Sequence, residues 1–196
     1  MSGRRSAAVE FGVATVADAP AIVALVDSAY RGELSRAGWT TEADLLGGQR
    51  TDRDAVETLI GTPSSTVLLA TTSDDLVGCC HVQGRGGGTE YLGMLAVKPT
   101  QQGRGIGARI LAEAERRSRD DWSGERLRIT VIGLRLDLIV WYERIGFART
   151  GETEPFPYGE VRFGIPTRHD LAFVVLEKHL GPDCRTGDSA DAGPTS

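Results

Sequence analysis

Asparagine is absent from the 196 residues, and lysine occurs only at Lys98 and Lys178, against 20 arginines. The skew is that of codon bias in a GC-rich genome. It still has a chemical consequence, because one amide used widely as a ligand and catalytic group is missing. Cysteine is scarce as well: Cys79, Cys80 and Cys184, two of them adjacent. That spacing provides neither a disulfide framework nor a Cys/His zinc site, so no metal is expected. No apolar run reaches the roughly 18 residues of a membrane span, and the opening MSGRRSAAVEFGVATV lacks the apolar segment of a secretory signal. The expectation is a cytoplasmic protein without a membrane partner. A net charge of −5 and a pI near 5.3 argue against a dedicated nucleic-acid binder.

What is present is a globular composition, 40% hydrophobic and 25% charged, in a chain long enough to bury a core. Residues 1–7 and 181–196 read as flexible or disordered tails, the second being small, polar and without periodicity. Residues 8–180 read as one mixed α/β (α+β) domain. A first strand covers 9–14. Thr15 and Asp18 have capping-box spacing ahead of a helix whose apolar face is Ile22, Leu25, Val26 and Ala29. Residues 31–50 read as polar and irregular, and a short helix follows over 52–60. Strands 66–71 and 76–83 read as a hairpin, and 90–97 as a buried strand. A helix runs over about 104–119, a strand alternates through Leu127, Ile129 and Val131, and a short helix shows Leu138, Trp141, Tyr142 and Ile145 on one face. The last strands are 147–150 and 172–176, joined by a long loop of the kind that is often functional.

The chemistry concentrates in LAVKPTQQGRGIG, Leu95 to Gly107, where a buried strand enters a glycine-rich turn that opens a helix. Glycines let backbone approach a ligand, and a helix's first turn leaves N–H groups unpaired at the positive end of its dipole. A phosphate or pyrophosphate is the natural guest. There is no Gly-Lys-Ser/Thr ending, which excludes a nucleotide P-loop. Gly103, Gly105 and Ala108 satisfy the dinucleotide pattern G-x-G-x-x-A, but no acidic residue ends the next strand, where Val131-Ile132-Gly133 stands.

The pattern Gln102-x-x-Gly105-x-Gly107, the strand exit Met94-Leu95-Ala96-Val97-Lys98-Pro99 and the later Trp141-Tyr142-Glu143-Arg144-Ile145-Gly146-Phe147 together resemble the GNAT superfamily of acetyl-CoA-dependent N-acetyltransferases. The resemblance implies a mostly antiparallel sheet of six to seven strands with about four helices. It also implies a splay between the fourth and fifth strands that takes acetyl-CoA as co-substrate. By that resemblance the backbone of Leu95, Ala96 and Val97 pairs with the pantetheine arm, and Gln102, Gly103, Arg104, Gly105, Ile106, Gly107 and Ala108 hold the pyrophosphate, with Arg109 adding charge. The Leu95 N–H would polarise the thioester carbonyl, and Tyr142 would be the general acid for the thiolate. Many members place an Asn seven residues before that Tyr to contact the cofactor arm. Here the position is Arg135.

The base that leaves the attacking amine neutral has five candidates: Glu33, Glu42, Glu90, His81 and His169, of which Glu90 lies on the fourth strand and is taken forward. Cys79 and Cys80 read as buried core rather than as a covalent acetyl carrier. Substrate selection is expected from residues 31–50 and 152–170, with Glu33, Trp39, Glu42 and Tyr158 as contacts for a cationic amine. The functional expectation is acetyl transfer to a primary amine of a small molecule or peptide by direct attack in a ternary complex, with a homodimer allowed. The alternatives are a non-catalytic acyl-CoA sensor and a dinucleotide-binding protein. Charge is uneven along the chain: 101–119 holds five Arg against two Glu, while 17–61 and 150–196 each hold eight acidic and four basic residues.

Overall fold

A computed structural model describes residues 8–73, 75–160 and 164–181. The expected tails, apart from residue 181, lie outside this range, as does Cys184. Seven strands form one sheet in the order β1 (Val9–Val13), β3 (Ser65–Thr72), β4 (Asp75–Gly84), β5 (Thr89–Val97), β6 (Arg126–Ile132), β9 (Ala172–His179), β7 (Ala148–Pro155). Every neighbouring pair is antiparallel except β5–β6. This order is not the parallel arrangement a dinucleotide crevice needs, so the G-x-G-x-x-A match has no such fold behind it. A second, two-stranded ribbon pairs β2 (Leu46–Gly47) with β8 (Ile165–Pro166).

Helices cover both faces. α1 (Ala19–Tyr30) starts behind a turn in which the Thr15 N–H and hydroxyl both donate to Asp18, at 2.7 and 2.8 Å. Its buried stripe, Ile22, Leu25, Val26 and Ala29, packs with Val56 of α3 (Arg53–Gly61) against Val67, Cys79 and Ala96 of the sheet. On the opposite face α4 (Ile106–Trp122) and α5 (Leu136–Arg144) bury Ile106, Ile110, Leu111, Ala114, Ile139 and Tyr142 over Leu68, Cys80, Leu92 and Leu127. Strand alternation thus sends the adjacent Cys79 and Cys80 to opposite cores. Both thiols are fully buried, and burial pushes Cys79 up to about 12 and Cys80 well above its ordinary value, so neither is a ready nucleophile.

The structure adds to the region expected to be irregular. Residues 31–50 contain a one-turn helix, α2 (Gly32–Ser35), which makes five helices rather than about four, and the strand β2. A small third core of Leu46, Ile132, Phe156 and Leu171 gathers under the ribbon. No helix of the described residues is long and apolar enough to cross a membrane.

Candidate active site

β5 and β6 pair at only three positions, Thr89–Arg126, Glu90–Leu127 and Tyr91–Arg128. Beyond Tyr91 the strands part, and β5 continues to Val97 along β4 alone. These are the fourth and fifth main-sheet strands in chain order, so the splay lies where expected. On the β4 side the register slips between Cys79 and His81, leaving Met94 and Leu95 without ladder partners, and Met94 takes φ 51°. This bulge turns Leu95 toward the gap. The Tyr30 hydroxyl, at the end of α1, donates to the Leu95 carbonyl and holds the bulge from the other side.

The glycine turn closes the gap at its far end. Gly103 (φ 75°) and Gly105 (φ 76°) sit in the left-handed region, which a side chain would strain. The consequence is six consecutive amides, Gly103 through Ala108, that find no acceptor among the described residues. They stand at the positive end of a 17-residue helix whose preceding strand residues are apolar. Five of the six residues, with Gln102, Leu95, Val97, Trp39, Trp141, Leu138 and Tyr142, line a cavity of about 290 Å³.

A loop roofs this cavity. The Gln102 side chain accepts from the Trp39 N–H (2.9 Å) and donates to the Thr40 hydroxyl (2.9 Å) and the Val97 carbonyl (3.0 Å). Arg135, just before α5, donates to the carbonyls of Thr40 (3.0 Å) and Trp39 (3.1 Å) and pairs with Asp137. Trp39 also lies 5.9 Å from Trp141, ring to ring.

Tyr142 faces both the cavity and the interior. Its ring meets Trp141 and Phe147 edge-on at 4.9 and 5.4 Å, and among the described residues nothing hydrogen-bonds its hydroxyl. Burial, reinforced by Tyr30 and Cys80, pushes its pKa well above the ordinary tyrosine value, so the phenol stays protonated. A second cavity of about 70 Å³ lies on the β6 side and shares Tyr30, Leu138 and Tyr142 with the first. Its remaining walls include Glu42, Arg50, Phe156 and Phe173. Tyr142 is thus common to the walls of both.

Several expected residues fall elsewhere. Glu90 sits near the start of β5, roughly 15 Å from Leu95 at about 3.3 Å per residue. It is 2% exposed under Gly124, and burial raises its pKa. That end of the strand is still paired to β6, so Glu90 does not reach the gap. His81 is spent on Ser65 at 2.9 Å, His169 lies by Tyr158, and Glu33 is exposed beside Arg36. Only Glu42 of the five base candidates lines either cavity. Arg135 clamps the roof loop and is not among the residues that line either cavity. Arg109 donates to the Val9 carbonyl, away from the turn, and Arg104 is exposed outside the lining. Ala96 is buried against α1, leaving only its backbone for the gap. Trp39 lines the first cavity and not the second, and Tyr158 is a loop anchor that accepts from the Leu171 N–H at 2.7 Å. Sequence reasoning missed Tyr30, and it placed Thr40 and Arg50 only within the segment 31–50 expected to select substrate, without a role for either. Tyr30 is spaced like one more apolar residue of α1, and the other two lie in an aperiodic segment.

Residues 63–149 match the acetyltransferase (GNAT) domain family. No curated protein matches the chain. Among solved structures, a GNAT-family protein of Desulfovibrio desulfuricans is 20% identical, covering 89% of this chain and 100% of its own at a TM-score of 0.65. The Salmonella typhimurium protein yncA, solved with its cofactor acetyl-CoA, is 16% identical with coverages of 96% and 99% and a TM-score of 0.65. The ribosomal-protein-S18-alanine N-acetyltransferase of Escherichia coli is 12% identical with coverages of 91% and 98%, again at 0.65. The matched segment, which holds the glycine turn and both strands of the splay, is thus a GNAT acetyltransferase domain within the chain.

Proposed function

We propose that the protein moves an acetyl group from acetyl-CoA to a primary amine, by direct attack while both are bound. The observation that carries this reading is one protonated tyrosine in the walls of two cavities, the larger of them lined by five residues of the Gly103–Ala108 turn, whose amides find no acceptor among the described residues. Acetyl-CoA suits the larger one. Its pyrophosphate would accept from the Gly103–Ala108 amides, and its pantetheine arm would run along the open edge of β5 at Leu95–Val97 as an added strand. The amine would enter from the β6 side.

The attacking nitrogen forms a C–N bond to the thioester carbonyl carbon. The oxygen takes up the charge and is met by the Leu95 N–H. The C–S bond then breaks, Tyr142 gives its proton to the departing thiolate, and the phenol is restored by a proton from water as the products leave. The nitrogen's surplus proton leaves to water at the cavity mouth, because Glu42 is engaged by Arg31 and the other base candidates lie outside. Thermal melts with acetyl-CoA test the first half, since a ligand raises apparent stability by mass action. CoA release with a panel of amines tests the second. Melts unmoved by acetyl-CoA would overturn the reading, and a shift with no CoA release from any amine would leave a sensor.

A further inference from the structure

We propose that the acceptor is an amine that also carries an anionic group, as an amino acid does, and that Arg50 holds the anion. The inference rests on the acetyltransferase reading above. Segment charge alone points the other way, since residues 17–61 are net acidic. The fold keeps most of those acids out of the cavity, whose charged lining residues are Glu42 and Arg50. Glu33 is turned to solvent against Arg36, and Asp44 pairs with the same arginine. Glu42 is the one acidic side chain lining the acceptor cavity, and its Oε2 lies 2.6 Å from Arg31 and 3.8 Å from Arg50. Two guanidinium groups therefore lie by Glu42, while a further carboxylate, Asp27, accepts from the Arg50 main chain and does not line the cavity.

Arg50 is placed to hold an anion. Its backbone N–H donates to Asp27 at 2.7 Å, which fixes the main chain, and its guanidinium lies 5.7 Å from the Tyr30 ring centre. Arg31 is buried beside Glu42, but the Arg50 side chain keeps 32% of its surface and lines the cavity. Beyond the 3.8 Å pair with Glu42 its guanidinium makes no hydrogen bond among the described residues. A planar fork of donors at a cavity wall matches a carboxylate in two bonds. The other wall is apolar: Phe156 and Phe173, 5.5 Å apart, with Leu46 beside them. An acceptor with its anion on Arg50 and its apolar body on the phenylalanines has its amine left for the Tyr142 wall.

The experiment compares leucine with isoamylamine, and phenylalanine with phenethylamine, as acceptors in CoA release. Each pair differs by the carboxylate alone. The expected result is a kcat/KM ratio of at least about tenfold in favour of the amino acid. Arg50→Met should collapse that ratio toward one through KM, and Arg50→Lys should fall between. The acetyl-CoA thermal shift is read on every variant and reports folding and the cofactor half independently. Equal or better turnover of the plain amines overturns the proposal, as does loss of both members of a pair alike in Arg50→Met, or no turnover of either amino acid. An absent acetyl-CoA shift in the unaltered protein brings down the reading beneath it instead.

Discussion

Replacing Tyr142 by Phe separates a proton donor from a core ring. The Tyr142 ring is 6% exposed and held edge-on by Trp141 and Phe147, and Phe retains both contacts. No hydrogen bond to the hydroxyl is lost within the described residues, so the change in stability should stay within about 1 kcal/mol. Acetyl-CoA affinity should hold, because the free amides and the β5 edge are untouched. The chemistry should not hold. General acid catalysis contributes about 10²- to 10⁴-fold, which is roughly 3–5 kcal/mol of barrier at about 1.4 kcal/mol per decade. The assay is CoA release at saturating acetyl-CoA, read beside melting temperature and acetyl-CoA affinity for the same variant. The pH profile adds a second check. Burial holds the phenol well above its ordinary range, so the rate should keep rising with pH as the amine deprotonates, with no falling limb below about pH 9. Turnover within threefold of the unaltered protein would refute the proton role, and a falling limb near neutrality would refute the pKa reasoning.

Gln102→Ala removes three hydrogen bonds that tie the Trp39–Thr40 roof to β5, and it should cost roughly 2–3 kcal/mol of stability. The same change should weaken acetyl-CoA at least about tenfold, because the roof must then be ordered on binding. Calorimetric titration decides it, and an unchanged affinity would mean the roof does not touch the cofactor. His81 predicts acid sensitivity: burial, helped by Arg85, lowers its pKa to about 4 from an ordinary value near 6.5. The folded state then binds fewer protons than the unfolded chain between those values, so stability falls as pH falls, by up to about 3 kcal/mol. Urea melts at pH 7.5 and 4.5 should show the loss, and His81→Gln should lack most of it. An equal loss in the variant would place the sensitivity elsewhere.

The parts of this protein legible in its sequence are those whose signal is local. The helix periodicity of α1 and α4, the alternation of β6 and the strand–glycine–helix passage from Leu95 to Gly107 all stand within a few residues of each other. The β2–β8 ribbon was not legible, because each strand is two residues long and its partner lies more than 100 positions away. The roof loop was missed for the same reason: its residues have no period, and its meaning comes from Gln102 and Arg135, 63 and 96 positions from Trp39. The net acidity of residues 17–61 says little about either cavity, because a segment's sum does not say which groups face inward. Of the acidic residues in 17–61, the fold brings Glu42 alone to the acceptor cavity and sets two arginines against it.

Arg135 joins these points. A short amide there could contact a cofactor arm but could not span to the loop opposite. The guanidinium does span it, and with Gln102 it grips two consecutive residues from two directions. Thr40 passes the restraint on by donating its hydroxyl to the Ala29 carbonyl at 3.1 Å, and the next residue, Tyr30, donates to Leu95 on the bulge. The turn that would hold the pyrophosphate, the roof above the cavity and the strand edge facing the thioester are therefore one connected set of hydrogen bonds. Arg135 thus lends rigidity to the walls around the cavity. An ordered wall costs less to close on a ligand than a mobile one.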